Sequence, residues 1–191
     1  IGLRAGRYMA SADELYLTIR GQGGHAALPQ DTVDPITAAA QVISSLQQVV
    51  SRKANPLIPT VLTWGKINSD GGTTNVVPNA VMLEGTLRTM DEEWRARAHV
   101  WIERIVKNTA EALGAMAELE IRKGYPCLDN NTDLTAKTFA WLREYMGDAN
   151  VVELEPRMTA EDFAYYSREI PACFYRLGTG NPEKGITSPV H

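Results

Sequence analysis

The chain has 191 residues, of which 44% are hydrophobic and 22% are charged, and its formal net charge at pH 7 is −4. This composition is typical of a globular protein, and neither the negative charge nor the apolar pattern favours nucleic acid or a membrane as a partner. No signal-peptide pattern opens the chain. The two cysteines, Cys127 and Cys173, cannot form a disulfide framework, which favours a reducing compartment and predicts a cytoplasmic protein.

The first predicted strand is "DELYLTIR", residues 13–20, in which apolar and polar residues alternate. It leads into "GQGGHAALPQ", residues 21–30, where His25 follows a run rich in glycine. This spacing leaves two interpretations open. His25 is either a turn residue or an accessible imidazole that a bendable loop presents to a ligand.

A helix is predicted to follow, with Asp34 as its N-cap and Pro35 in its first turn. Residues 60–67 and 80–88 are predicted strands, separated by the turn-rich "NSDGGTTN". In the second of them, Arg88 shares a face with polar residues, so we expect its side chain to point away from the helix-covered core. The apolar positions expected to form the buried face of the helix are Ile36, Ala39, Ile43, Leu46 and Val50.

A second helix is predicted to start at a capping box formed by Thr89 and Glu92. We expect His99, within this helix, to lie at the surface, and residues 117–124 to form the last strand. The order β-α-β-β-α-β predicts an α+β, ferredoxin-like fold with two helices on one face of an antiparallel sheet. The apolar positions of the second helix are Trp94, Ala98, Trp101, Ile105, Ala112 and Leu113.

Residues 126–191 have a different pattern. Residues 132–147 predict a helix, and Thr159 with Asp162 has capping-box spacing at the start of another. Residues 172–178 form a nearly continuous apolar run, as in a strand buried on both faces. These elements do not make a domain alone, so we expect them to belong to a larger α/β body.

The spacing of the candidate catalytic residues does not by itself identify a reaction. Glu161 and Asp162 could form an acid/base pair, but first-turn carboxylates that cap a helix explain them fully. Asn75 is compatible with a simple turn residue, and His191 at the chain end indicates little by itself. The sequence contains no H-E-x-x-H, P-loop, G-x-S-x-G or C-x-x-C motif.

The motifs are more informative in combination. "GQGGHAALPQDTVDP", "GGTTNVVPNAVMLEGTLRT", "YPCLDNN", "TAEDFAYY" and "SPVH" occur in this order along the chain. Together they closely resemble the dinuclear-metal amidohydrolases, a family of aminoacylases, carboxypeptidase G, hippurate hydrolases and auxin-conjugate hydrolases. The resemblance covers essentially the whole chain and is best with the hippurate and auxin-conjugate branch.

The resemblance implies a domain organisation. Residues 1–10 would be a hinge segment, residues 11–125 a ferredoxin-like lid and dimerisation domain, and residues 126–191 the C-terminal part of an α/β metal-binding catalytic domain. The family's other metal ligands and its general-base glutamate have no equivalents in this sequence. We therefore expect the sequence to be an excerpt of a longer protein and this chain alone to be inactive.

The resemblance also assigns residues. His25 matches a histidine that reaches the scissile carbonyl in the partner's active site, Asn75 and Arg88 match substrate-binding positions, and His191 matches a metal ligand. It implies two divalent ions, zinc or alternatively manganese or cobalt, a homodimer through the lid, and hydrolysis of N-acyl amino acids or dipeptide-like substrates. Two alternatives are a non-catalytic dimerisation module and a ferredoxin-like RNA-binding domain, which the acidic charge disfavours.

Overall fold

The computed structural model describes residues 1–187, and its chain forms two compact units. One, here called the central unit, comprises Ala10–Cys127 with Met158–Ala160; the other, the terminal unit, comprises Ile1–Met9, Leu128–Arg157 and the residues from Glu161. The helices are α1 (Pro35–Gln48), α2 (Glu92–Ala112), α3 (Thr132–Met146) and α4 (Tyr166–Glu169). The strands are β1 (Gly2–Leu3), β2 (Gly6–Met9), β3 (Asp13–Arg20), β4 (Gly24–His25), β5 (Thr60–Ser69), β6 (Val76–Val77), β7 (Ala80–Thr89), β8 (Met116–Lys123), β9 (Leu128–Asn130), β10 (Val152–Glu153) and β11 (Tyr175–Arg176).

The central unit has the predicted ferredoxin-like fold. Its sheet runs in the order β5-β7-β3-β8, and every neighbouring pair is antiparallel. Leu15, Leu17 and Ile19 alternate with polar residues along β3 and are buried under α1 and α2. Both helices contribute to that single core, so they lie on one face of the sheet. The fold class predicted from the sequence is confirmed for this unit.

The buried faces of both helices match the predicted ones only in part. Ala39 and Leu46 of α1, and Trp94 and Ala98 of α2, are buried as predicted. In α1, Ala38 and Val42 are fully buried as well, whereas Ile36 is 49% exposed. In α2, Ile102 and Val106 occupy the core. Several apolar residues fall on each helix, so an apolar pattern alone cannot distinguish between stripes one residue apart.

The predicted capping box at the start of α2 is wrong. Asp91 is the N-cap, and its carboxylate accepts a hydrogen bond of 2.7 Å from the amide of Trp94. Thr89 is instead the last residue of β7, where it pairs with Thr60 and is buried. Because β7 continues to Thr89, the helix cannot begin there.

The terminal unit has short strands and little core. Its sheet places β1 between β10 and β11, and β2 pairs with β9. The helix predicted from Thr159 is reduced to a 3-10 turn, Asp162–Ala164, followed by the four-residue α4. The buried strand predicted over residues 172–178 is shortened to the two residues of β11. Leu177, just beyond it, is 65% exposed. The prediction assumed that other elements cover both faces of this strand, whereas both of its residues are exposed. Within residues 1–187, no helix combines the length and the hydropathy of a membrane span.

Candidate active site

His25 lies in a two-stranded ribbon of the central unit. It forms β4, which pairs antiparallel with β6, and His25 is directly opposite Val76. The amide of Ala26 donates a hydrogen bond of 3.0 Å to the carbonyl oxygen of Asn75. The fold therefore brings two of the sequence-predicted site residues, His25 and Asn75, to the same ribbon.

The glycines before His25 permit this ribbon to pack closely on its neighbours. A Cβ atom at Gly21 would lie 2.0 Å from the carbonyl oxygen of Val33, and one at Gly23 would lie 2.6 Å from that of Val77. The amide of Gly23 also donates to Oδ1 of Asn79 at 3.0 Å. Only residues without a side chain can approach the backbone so closely, so the glycines position His25 as well as bending the loop.

The backbone also determines the tautomer of His25. The amide of Ala27 donates to Nδ1 of the imidazole at 3.1 Å, so Nδ1 acts as the acceptor. In a neutral imidazole the proton then resides on Nε2. The residue is exposed, so the Nε2–H group is available as a hydrogen-bond donor to a ligand.

The segment that carries Asn75 is anchored at its base. One carboxylate oxygen of Asp70 accepts hydrogen bonds of 3.0 Å from the amides of both Asn79 and Ala80. This arrangement closes the loop between β5 and β7 while Asn75 itself remains exposed. The side chain of Asn75 is therefore accessible on the ribbon that carries His25.

Arg88 lies elsewhere on the sheet. It is opposite Val61 on β5, and its neighbour Leu87 is buried on the helix-covered side, so Arg88 belongs to the other face as predicted. At ~3.4 Å per residue, Arg88 is roughly 27 Å along β7 from Ala80, next to the ribbon of His25. The structure therefore does not bring Arg88 together with His25 and Asn75.

The described part of the chain does not include the residue predicted to bind metal. His191 lies outside the described residues. Within residues 1–187, no group of three histidine, cysteine, aspartate or glutamate residues could hold a metal ion, so these residues do not by themselves fit a metal centre. Glu161 caps the turn after it, since its carboxylate accepts from the amide of Asp162 at 3.2 Å, in agreement with the capping interpretation.

A buried charged network was not predicted. Asp13, at the start of β3, is bound by two guanidinium nitrogens of Arg95 and lies 2.6 Å from Nε2 of His99. The surface interpretation of His99 is wrong, because this residue is only 7% exposed. The signal was present in the sequence, since Arg95 and His99 are four residues apart and therefore share a helix face.

The network keeps Asp13 ionised. Burial raises the pKa of the Asp13 carboxyl group, but hydrogen bonds from Arg95 and His99 outweigh that effect and lower its pKa to about 2. Burial opposes the charge of Arg95 as well, yet the hydrogen bond and charge of Asp13 raise the pKa of its guanidinium. The amide of Gly124 also donates to Asp13, at 3.2 Å, so the network connects β3, α2 and the end of β8.

Comparison with known proteins gives a consistent result. Residues 11–113 match the family described as peptidase dimerisation domain. N-acetyl-L-cysteine deacetylase of Bacillus subtilis is 38% identical over 94% of this chain and 42% of its own length. N-acetyldiaminopimelate deacetylase of Brevibacillus brevis is 34% identical over 95% of this chain and 48% of its own length.

A solved structure agrees with these matches. The dinuclear metal-binding peptidase from the M20 family of Bacillus subtilis superposes with a TM-score of 0.70 at 28% identity, over 89% of this chain and 41% of that one. The chain spans about half the length of the curated relatives that it matches, 42% and 48% for the two deacetylases. The matched domain and these relatives confirm the resemblance seen in the sequence: the chain belongs to the M20 peptidase family.

Proposed function

We propose that this chain is part of a metal-dependent amidohydrolase that cleaves N-acyl amino acids, and that His25 acts at the scissile carbonyl. The observation that carries this proposal is the backbone-determined tautomer of His25, with Nε2–H exposed. As water adds to the amide carbon, negative charge develops on the carbonyl oxygen. An Nε2–H donor at that oxygen stabilises the transition state, and one such donor contributes typically ~2.7–4 kcal/mol.

Asn75 and Arg88 are assigned to substrate binding. The planar guanidinium of Arg88 suits the carboxylate of the amino-acid half, because it can donate two parallel hydrogen bonds to it. The exposed amide of Asn75 lies on the ribbon of His25 and would contact the acyl-amide end. The expected substrate is a small N-acyl amino acid or a dipeptide-like molecule.

The separation of these residues supports a homodimer. One α-carbon separates the amide from the carboxylate of an N-acyl amino acid, whereas Arg88 lies roughly 27 Å along β7 from the ribbon of His25. One subunit therefore cannot apply both residues to one substrate through this sheet. We propose that His25 and Asn75 of one copy complete the site that contains Arg88 of the other.

The metal assignment is also a proposal. The relative with the solved structure is described as a dinuclear metal-binding peptidase. We propose that two divalent ions, zinc or alternatively manganese or cobalt, serve this activity and that His191 is one ligand. Since residues 1–187 contain no ligand group of their own, the purified chain is expected to bind zinc weakly in calorimetry and to hydrolyse no N-acyl amino acid.

A complementation experiment tests the shared site in the intact enzyme. His25→Ala should lower kcat by about 10²–10³-fold with metal content unchanged. Arg88→Ala should impair substrates with a free carboxylate more than the matching carboxamides. An equal mixture of the two inactive variants, refolded together, should regain about a quarter of the wild-type activity, because half of the dimers carry one intact site. No recovery would contradict the shared site.

A second candidate is a dimerisation module without catalysis of its own. It is favoured by the match of residues 11–113 to a dimerisation domain and by the lack of a ligand group in residues 1–187. Sedimentation of the isolated chain at micromolar concentration should show a dimer. A strictly monomeric chain would count against self-association through this domain in both proposals.

A further inference from the structure

The central sheet has a second face, opposite α1 and α2, which we call the outer face. Along each strand, alternate side chains point to this face and their neighbours enter the core. The outer face carries equal numbers of acidic and basic side chains. They are Glu14, Arg20, Lys66, Glu84, Arg88, Glu118, Glu120 and Arg122.

Most of these charges are paired with one another. Arg20 donates to both carboxylate oxygens of Glu118 at 3.1 Å. The ammonium of Lys66 lies 2.5 Å from Glu84. The remaining pair joins Arg122 to Glu120, with its shorter contact at 2.7 Å. Among the described residues of the outer face, these pairs leave one acidic and one basic side chain, Glu14 and Arg88.

Neither of the two has an oppositely charged group within ion-pair distance in the described structure. The carboxylate of Glu14 accepts a hydrogen bond of 3.0 Å from the hydroxyl of Tyr16. Arg122 is opposite Glu14 on β8, but its guanidinium is bound to Glu120 and stacks 4.3 Å from the Tyr16 ring centroid. No carboxylate lies within 4.0 Å of Arg88 in the described residues.

These two side chains are near neighbours on the sheet. Glu14 is directly opposite Thr86, and Arg88 is the next residue of β7 on the same face. Such diagonal positions are typically ~7–8 Å apart. A depression of about 320 Å³ adjoins Glu14, and its lining includes Tyr16, Thr63, Thr86 and the Lys66–Glu84 ion pair. The face thus presents the Glu14 carboxylate beside a space that a small side chain could occupy, with Arg88 one diagonal position away.

We propose that Glu14 and Arg88 together select N-acyl amino acids with a basic side chain, of the ornithine or lysine type. This inference rests on the proposed function, in which Arg88 binds the substrate carboxylate. The ammonium group at the end of the side chain then reaches Glu14 across the depression. A substrate with both charges contacts both residues at once, whereas an apolar side chain gains no charge interaction with Glu14 and an acidic one is repelled.

The test compares three substrates of the intact enzyme: N-acetyl-L-ornithine, N-acetyl-L-norleucine and N-acetyl-L-glutamate. We expect kcat/KM for the ornithine derivative to exceed that for the norleucine derivative about tenfold, as one charge-assisted hydrogen bond would provide. Glu14→Gln should reduce this ratio to about one, and Glu14→Lys should make the glutamate derivative the preferred substrate. Both changes are at an exposed strand position, so the variants should fold.

Glu118→Gln is the matched control, since Glu118 lies on the same face but is bound to Arg20. It should retain the wild-type ratio. Hydrolysis of all three substrates with a ratio unaffected by either Glu14 variant would overturn this inference and leave the proposed function intact. Failure of the metal-loaded wild-type enzyme to hydrolyse any of the three would overturn both.

Discussion

The central and terminal units differ in how their apolar residues are used. The core of the central unit contains 18 buried residues, which include residues from both helices and from β3, β5 and β7, and apolar residues of β8 pack against it. The buried cluster of the terminal unit contains four, and Trp141 and Tyr145 on α3 are 59% and 87% exposed. Since burial of apolar area is the main favourable term in folding, the central unit should supply most of the measurable stability of the chain.

The largest effect should come from the buried network of the central unit. Asp13→Asn removes the charge that neutralises Arg95, and loss of one partner of a buried ion pair costs ~3–5 kcal/mol. Urea denaturation, followed by circular dichroism, should show this loss in the main transition. Glu118→Gln removes an exposed ion pair with Arg20 and should leave the midpoint unchanged. Equal shifts for both variants would contradict the importance of burial here.

Two leucines that are equally buried compare the cores directly. Leu17 lies in the central core and Leu128 in the terminal cluster, at 1% and 0% exposure. Leu17→Ala should cost ~3 kcal/mol of the unfolding free energy of the central unit, because its neighbours cannot collapse into the cavity. Leu128→Ala should leave that transition unchanged and affect only amide protons of the terminal unit in hydrogen exchange. A single transition shifted by both variants would show that the units unfold together.

The pH dependence isolates the contribution of Asp13. Its pKa is lowered to about 2, well below that of an unperturbed aspartate, so its stabilisation is complete above pH ~4 and is lost as the pH falls toward 2. The loss should amount to ~2 kcal/mol. Over this range, the difference in unfolding free energy between the wild type and Asp13→Asn should shrink. A constant difference would mean that the network does not depend on ionised Asp13.

The smallest effects should come from the helix caps. Asp34 accepts a hydrogen bond of 2.8 Å from the amide of Ile36, and Asn131 accepts one of 2.9 Å from Leu134. Replacement of either cap by alanine should cost ~1 kcal/mol of helix stability. Asp34→Ala should lower the main transition of the central unit, whereas Asn131→Ala should increase exchange only in α3. Loss of the main transition in Asn131→Ala would contradict the separation of the two units.

Local patterns predicted the central unit well. The alternation in residues 13–20 identified β3 with its observed bounds, because one face of that strand is buried and the other is polar along its full length. Asp34 and Pro35 gave the start of α1 correctly, since a cap depends on adjacent residues only. Alternation along the strand predicted over residues 80–88 likewise placed Arg88 on the outer face.

Predictions failed where distant residues decide the outcome. Thr89 and Glu92 have capping-box spacing, but pairing with Thr60 keeps Thr89 in a strand. Glu92 instead binds Arg95 and the amide of Cys127. His99 is buried because Asp13, distant in sequence, accepts its hydrogen bond. The tautomer of His25 also could not be predicted, since it depends on the three-dimensional course of the loop.

The close packing of the glycines before His25 has a consequence for mutational scanning. Alanine at Gly21 or Gly23 would place a methyl group within 2.0 or 2.6 Å of a carbonyl oxygen, so both positions should score as intolerant in an activity screen. Gly72, with nothing within 4 Å of its would-be Cβ, should score as tolerant. In such a screen, loss of activity from a steric clash at a glycine would look the same as loss of activity from removal of the His25 imidazole. Only the abundance of each folded variant, scored in parallel, would distinguish the scaffold positions from His25.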